Sequence, residues 1–363
     1  MVPSSDVLSA FTFQDPPMPL LTIVLPTDGK PGHYNLAEGI CAAISRRRPV
    51  SIVRVPVARP RWLPGRILST MTNIGGWPSR QMPGLLGFDP ASLTACDLVV
   101  SAGGDTLAAN VALARRFACP NIFYGSLRRY RPADFSLVLT SYVENAQRLN
   151  HAMTLKPSAF DAGSAGASTA NEPLVIGLLI GGDSGTIRYT ATDWDRLLSL
   201  LTSDTDTPTR WIVANSRRTP TSISDRLDAI AKARPTITFL DVRTSGAGTL
   251  AGVFAATSAL AVTVDSSSML SEAIWAGRPT AALAPTQAAL PQLEQGYRAY
   301  LACNGWLTTV PLETVTPTTL VAALKLVSPI TGNPLDALAD LIAQRIPALF
   351  QTTASTVGSE QRD

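Results

Sequence analysis

Residues 261–279 admit few folds. A β-branched run at 261–264 reads as a short buried strand, Asp265 to Ser268 as its turn and helix cap, and 269–276 as a helix stopped by Gly277 with Pro279 beyond it. Such a strand, hydroxyl-rich loop and helix leave backbone N–H groups and the positive end of a helix dipole pointing out of the loop, where a phosphate binds well. Glu272 lies four residues after Ser268, so one helical turn returns its carboxylate toward the loop mouth, within reach of a ribose hydroxyl. A plain helix cap with a capping-box glutamate would use the same residues. The rest of the chain has to decide.

Two other loops repeat the pattern. The apolar run 174–180 ends in Gly181, Gly182, Asp183, Ser184 and Gly185, and the run 211–214 leads into Ser216, Arg217 and Arg218. Loops that follow buried strands of one parallel sheet share its carboxyl edge, so all three would converge there. Paired arginines neutralise a diphosphate through forked hydrogen bonds. The candidate nucleotide site is therefore Gly181, Gly182, Ser184, Ser216, Arg217, Arg218, Asp265, Ser266, Ser267, Ser268, Met269 and Glu272, a set that matches a nucleoside diphosphate.

The first half opens with an apolar strand at 20–25, and the loop after it crowds Asp28, Lys30 and His33 between two glycines and a proline. This loop has neither the Gly-Lys-Ser/Thr ending of a P-loop nor a Gly-x-Gly-x-x-Gly fingerprint. A further strand at 97–101 leads into Gly103, Gly104 and Asp105, at a strand end where open α/β sheets place ligands. Asp105 and His33 are the candidate general bases and Asp28 the next, because all three sit on the wall opposite the diphosphate loops. Strands and helices alternate on both sides of a small-residue stretch, predicting an α/β protein of two doubly wound Rossmann-like domains facing a cleft. The expected divisions are a flexible arm at 1–17, a first α/β domain at 18–155, a linker at 156–172, a second α/β domain at 173–330, a helix at 331–349 that crosses back, and a disordered tail at 350–363.

Composition narrows the classes. With 45% hydrophobic and 16% charged residues over 363 positions, two full cores are expected, and a net charge of +3 does not suggest a nucleic-acid protein. The four cysteines lack zinc or disulfide spacing and read as reduced thiols. No apolar run is long enough to span a membrane, so the reading is cytoplasmic. Charge is nevertheless uneven: residues 39–88 contain no acid, and Arg59, Arg61, Arg66 and Arg80 alternate with Trp62, Leu63, Ile67, Leu68, Met71 and Trp77. That mixture suits a segment docking peripherally on an anionic membrane, the alternative being a packed helix with Trp62 and Trp77 covered. Two Asp-x-Asp pairs, Asp193/Asp195 and Asp204/Asp206, read as solvated, and His151 as a solvated or packing residue.

Residues 28–33, the Ser216 to Pro220 run, and Asp265 to Met269 with Glu272 and Gly277 to Pro279 together resemble the bacterial relatives of the plant elongated-mitochondria (mitochondrial fission) family, a divergent member here. The chain departs from that pattern at Leu36, at 101–106 and at 246–249. The resemblance implies a GT-B glycosyltransferase-like fold, a UDP- or GDP-linked sugar donor bound by the second domain, and a glycan or lipid-linked cell-envelope acceptor bound by the first. It also implies single displacement at the anomeric carbon without a metal or cofactor. The rival readings are a non-catalytic GT-B-like scaffold and a nucleotide-sugar epimerase.

Overall fold

The structure, a computed structural model, describes residues 19–76, 82–164, 174–203, 208–245 and 249–351. The expected arm and nearly all of the expected tail lie outside these residues, as do Trp77, Arg80, the Asp204/Asp206 pair and positions 246–248.

Two six-stranded sheets, all parallel, carry the chain. The first contains β1 (Leu21–Thr27), β2 (Val50–Pro56), β3 (Leu98–Ala102), β4 (Asn121–Tyr124), β5 (Leu137–Thr140) and β6 (His151–Met153), in the order β2-β1-β3-β4-β5-β6. The second contains β7 (Leu174–Leu179), β9 (Thr209–Ala214), β10 (Ile237–Leu240), β11 (Ala259–Thr263), β12 (Thr280–Ala284) and β14 (Thr308–Pro311), in the order β10-β9-β7-β11-β12-β14. A small antiparallel pair, β8 (Ile187–Arg188) with β13 (Gln287–Ala288), braces the loop after β7.

Each sheet reverses strand order once, between β1 and β3 in the first and between β7 and β11 in the second. A doubly wound sheet opens its crevice at such a reversal, beyond the carboxyl ends of the strands. Four of the five loops singled out by their chemistry flank the two reversals, 28–33 and 103–106 in the first sheet and 180–185 and 264–268 in the second; the fifth, 216–218, follows β9 beside β7. Strand order, more than any single motif, brings them together.

Helices cover both faces of the first sheet. Leu21, Ile23 and Leu25 enter one core with the Pro31–Ser45 helix, while Val24 turns to the other with the Leu107–Phe117 helix, the period-2 alternation of a sheet buried on both sides. Close packing leaves no room at Gly39, where a Cβ would sit 2.6 Å from the backbone nitrogen of Ser158. Trp275 is fully buried and its Nε1 donates to the Phe160 carbonyl at 2.9 Å, joining the second sheet's Ser267–Trp275 helix to the connecting segment. The Pro334–Arg345 helix lies against the Pro31–Ser45 helix, with Arg46 Nε 2.8 Å from Asp336.

One polar residue differs from the sequence reading. Asp193 is not solvated: it is fully buried, caps the Ala191–Thr202 helix through Thr190 and also accepts from Thr286, whereas Asp195 is exposed and pairs with Arg226. His151 is packed, its Nδ1 donating to the Leu149 carbonyl at 2.7 Å. Cys96 and Cys119 meet with their Sγ atoms 3.6 Å apart, a proximity that their spacing gives no hint of.

Candidate functional site

The loop after β1 turns at Gly29, whose φ of +73° suits glycine, and delivers Asp28 and His33 to one spot. Asp28, 4% exposed, sits 2.7 Å from His33 Nδ1. Its partial burial raises the carboxyl pKa, but hydrogen bonds from His33 and the Lys30 backbone outweigh this and hold it below the usual aspartate value. An ionised carboxylate only accepts, so Nδ1 is the donor, and the neutral tautomer compatible with this bond has its lone pair on Nε2. Gly103, at φ +90°, makes room for this ring: a Cβ there would fall on His33 Nδ1.

Asp105, by sequence a candidate base alongside His33, is held in ion pairs. The cap position of the next helix belongs to Thr106, and the Asp105 carboxylate lies 3.0 Å from Lys30 Nζ and 3.2 Å from Arg59 Nε. Burial raises its pKa, yet the bonds to Lys30 and Arg59 bring it below normal. A carboxylate stabilised in this way accepts a proton poorly and serves better as an anchor for two cations.

In the second sheet, the buried carboxylate of Asp265 ties the loops together. Its oxygens receive the Gly182 N–H at 3.1 Å, the Tyr189 hydroxyl at 3.0 Å and Arg218 Nη2 at 2.5 Å. The side chain of Asp265 has no exposed surface, so Asp265 is corrected from ligand contact to internal pin. The same correction applies to the backbone of Gly181 and Gly182: the Gly181 N–H donates to Thr263 Oγ1 at 2.7 Å, and neither amide remains for a phosphate. Both glycines are needed for clearance instead, because a Cβ at Gly181 would overlap the Asp265 carboxylate and one at Gly182 the Arg218 carbonyl. Ser184 pairs through its backbone with Ile187, and Ser216 closes a turn by accepting the Arg218 N–H. Thr219, outside the predicted set, donates to the carbonyls of Ile180 and Gly181 and locks the arginine loop to the β7 loop.

Ligand-facing capacity lies at the start of the Ser267–Trp275 helix. Ser266 caps it by accepting from the Met269 N–H at 3.3 Å, which uses up that amide. The Ser267 hydroxyl donates to Glu294, and Arg298 donates to it at 3.3 Å. The amides of Ser267 and Ser268 have no partner among the described residues. Arg217 and Arg218 are exposed, and 43% of the Arg218 side chain faces solvent. One turn into the helix, the Glu272 carboxyl has no hydrogen bond or ion pair among the described residues. Desolvation pushes its pKa up to about 7.

The two halves meet at a cavity of about 250 Å³ lined by His33, Gly103, Arg128, Tyr142 and Lys156 from the first-sheet side and by Ser268 from the second. Lys156 has no mark in the sequence beyond opening the expected linker. Its ammonium is nearly buried, which lowers its pKa despite Glu294 at 3.4 Å, and it lies 5.3 Å over the Tyr297 ring. Glu294 also accepts from the Tyr142 hydroxyl at 2.6 Å, so this network spans the two sheets. Nothing in the local sequence announces these residues; the position of Lys156 and Tyr142 on the cavity wall, with Glu294 bonded to both, does. Among the described residues no three His, Cys, Asp or Glu side chains are grouped to hold a metal ion.

A family model described as mitochondrial fission ELM1 matches residues 31–346. The chain belongs to this family. Its fold is shared with solved structures of low sequence identity. S. aureus MnaA, in its UDP co-structure, has 11% identity and a TM-score of 0.52 over 92% of this chain and 98% of its own. The putative UDP-N-acetylglucosamine 2-epimerase of Listeria monocytogenes has 10% identity and a TM-score of 0.53 over 93% and 98%. Acinetobacter baumannii MurG has 14% identity and a TM-score of 0.49 over 89% and 99%. No curated protein matches the chain by sequence. The fold is thus of the GT-B type, two doubly wound domains facing a cleft.

Proposed function

We propose that this ELM1-family chain is a glycosyltransferase that moves a sugar from a UDP- or GDP-linked donor to a cell-envelope acceptor. One observation carries the reading: the Asp28–His33 pair and the amide-bearing start of the Ser267–Trp275 helix face one cavity from opposite sides. The donor diphosphate lies against the Ser267 and Ser268 amides with Arg218, and Arg217 beside it, as the cations; Glu272 receives the ribose hydroxyls. His33 Nε2 takes the proton of the acceptor hydroxyl as the oxygen attacks the anomeric carbon. The bond to the diphosphate breaks, and its electron pair leaves with the nucleotide. Asp28 holds the ring in the required tautomer and stabilises the imidazolium. The leaving charge needs no metal in this arrangement, because amides and a guanidinium meet it.

Release of UDP or GDP from a panel of sugar nucleotides tests the reading. His33→Ala and Asp28→Asn should each lose roughly 10²–10⁴-fold in turnover while retaining nucleotide affinity. A second reading, epimerisation of the donor sugar, draws on the similarity to MnaA and the Listeria 2-epimerase. It predicts deuterium entering the sugar from D2O without any acceptor. A third, a scaffold that kept the fold and lost the reaction, predicts nucleotide binding with neither outcome.

The reading places the acceptor at a membrane surface. Trp62 is 71% exposed, and Ile67 and Ile74 on the Gly65–Ile74 helix are 45% and 71% exposed, beside Arg59, Arg61 and Arg66. Leu63 and Leu68 point into the core, so only part of the apolar set expected for membrane contact is free. Trp62, Ile67 and Ile74 enter the headgroup region of an anionic bilayer, and each nearby arginine adds about 1 kcal/mol. Among the described residues no helix is long and apolar enough to cross a membrane.

A further inference from the structure

A second cavity, of about 270 Å³, adjoins the first and is lined by Arg59, Arg66, Arg128 and Arg129. These arginines come from three separate segments: the loop after β2, the Gly65–Ile74 helix and the loop after β4. Only one acid, Asp105, lines the same cavity, and Arg59 together with Lys30 already neutralises it. The guanidinium groups of Arg66, Arg128 and Arg129 have no hydrogen-bond or ion-pair partner among the described residues. Three unpaired guanidinium groups around one concavity repel one another unless an anion joins them.

Two backbone features hold the arrangement in place. Arg128 sits at φ +53°, an unfavourable region for a side-chain-bearing residue, and its guanidinium lies across Gly104, where any Cβ would strike it. Gly104 and Arg128 also line the cavity that holds His33. An anion bound by these arginines therefore sits immediately beside the proposed base. Forked guanidinium donors match phosphate oxygens better than they match any neutral sugar group.

We infer that this cavity binds a phosphate or diphosphate ester carried by the acceptor, positioning the acceptor hydroxyl for His33. The inference deepens the transferase reading and rests on it for the word acceptor. The anion site itself is read independently of any donor. The same chemistry occurs in a soluble sugar phosphate and in a lipid-linked diphosphate.

The test is calorimetry with inorganic pyrophosphate on the full chain already saturated with UDP. The expected result is saturable one-to-one binding that weakens about tenfold or more in Arg66→Gln/Arg129→Gln, as loss of charge-assisted hydrogen bonds requires, with UDP affinity unchanged. Neither arginine has a partner to lose among the described residues, so the double variant should melt like the wild type. Absence of binding once UDP is saturating would place pyrophosphate in the donor site and overturn the inference, as would equal affinity in the double variant. If UDP itself fails to bind, the donor reading fails, and pyrophosphate titrated into the free protein still reads this site. Competition by a soluble sugar 1-phosphate or by phosphatidylcholine vesicles containing a polyprenyl diphosphate identifies the source. Competition by neither overturns the ester assignment.

Discussion

Replacing Glu272 by glutamine should stabilise the fold and weaken nucleotide binding, and both effects follow from one desolvated carboxyl. No partner among the described residues compensates its charge, and desolvation moves its pKa from an ordinary 4.5 to about 7. Between those two values the folded chain holds a proton that the unfolded chain has released. The ionised form therefore costs stability progressively as pH rises through this window, and the cost levels off above the folded value. Taking glutamine as a stand-in for the protonated acid, the gain from Glu272→Gln is about 1 kcal/mol at pH 5 and about 3 kcal/mol at pH 8. Urea unfolding of both proteins at these two pH values measures it. An equal gain at both, or a loss, would refute the reasoning. A ribose diol donates to the ionised carboxylate and favours it, so UDP affinity of the wild type should fall below pH 7 while the Glu272→Gln variant binds more weakly and without that pH dependence. If the substitution changes stability alone, with UDP and GDP bound as by the wild type, the carboxyl has no ligand role.

Turnover in His33→Ala and Asp28→Asn should fall roughly 10²–10⁴-fold, as read by nucleotide release, and a wild-type rate in both places the base elsewhere. Arg218→Ala should weaken UDP binding by about 1.5–3 kcal/mol, more than Ser267→Ala, as read by calorimetry. The same change should lower the melting temperature, because it strips the buried Asp265 of its cation. Gly39→Ala should cost roughly 1–3 kcal/mol in denaturant unfolding, since its methyl group meets the backbone of Pro157 and Ser158 rather than a movable side chain. Flotation with anionic vesicles should carry the wild-type chain at low salt and release it at high salt. Trp62→Ala with Arg61→Gln and Arg66→Gln should abolish it, and no lipid-dependent flotation by the wild type rejects the membrane surface.

The strands at 20–25, 97–101, 174–180, 211–214 and 261–264 were legible because each is a short apolar run followed within three residues by glycine, serine or aspartate, whereas β6, β12 and β14, followed by Thr154, Pro285 and Leu312, carry no such mark. The crossing order was not legible, since the reversals between β1 and β3 and between β7 and β11 depend on which helix covers which face. Residue types marked the loops at the strand ends, but not the direction of individual groups. Asp265 and Ser267 carry the same chemistry whether they face a ligand or each other's neighbours, and only coordinates separate an internal bond from a free donor. Lys156, Tyr142 and Glu294 were invisible for a different reason. They lie in ordinary contexts far apart in the chain, and their meeting is a property of the cleft.

That division explains how the second sheet's loops can be both rigid and receptive. At a strand-order reversal three loops end close together, each with amides and carbonyls that would otherwise face water. In the second sheet Asp265, Thr219 and Thr263 take up most of these, pairing Gly181, Gly182, Ile180 and Arg218 within the protein. What is left unpaired among the described residues is small: two amides at a helix start, part of one guanidinium and the Glu272 carboxyl. A preorganised site requires that its remaining groups cannot relax onto one another, because relaxation would have to be undone on binding. Asp265 enforces this by holding Arg218 at one oxygen while leaving much of its side chain in solvent. Removing the acid should then harm binding through the arginine's position rather than through any contact of its own, so Asp265→Asn and Arg218→Ala should be strongly non-additive in UDP affinity, as calorimetry on the two single variants and the double variant would measure. Additive losses would mean that Asp265 touches the nucleotide itself.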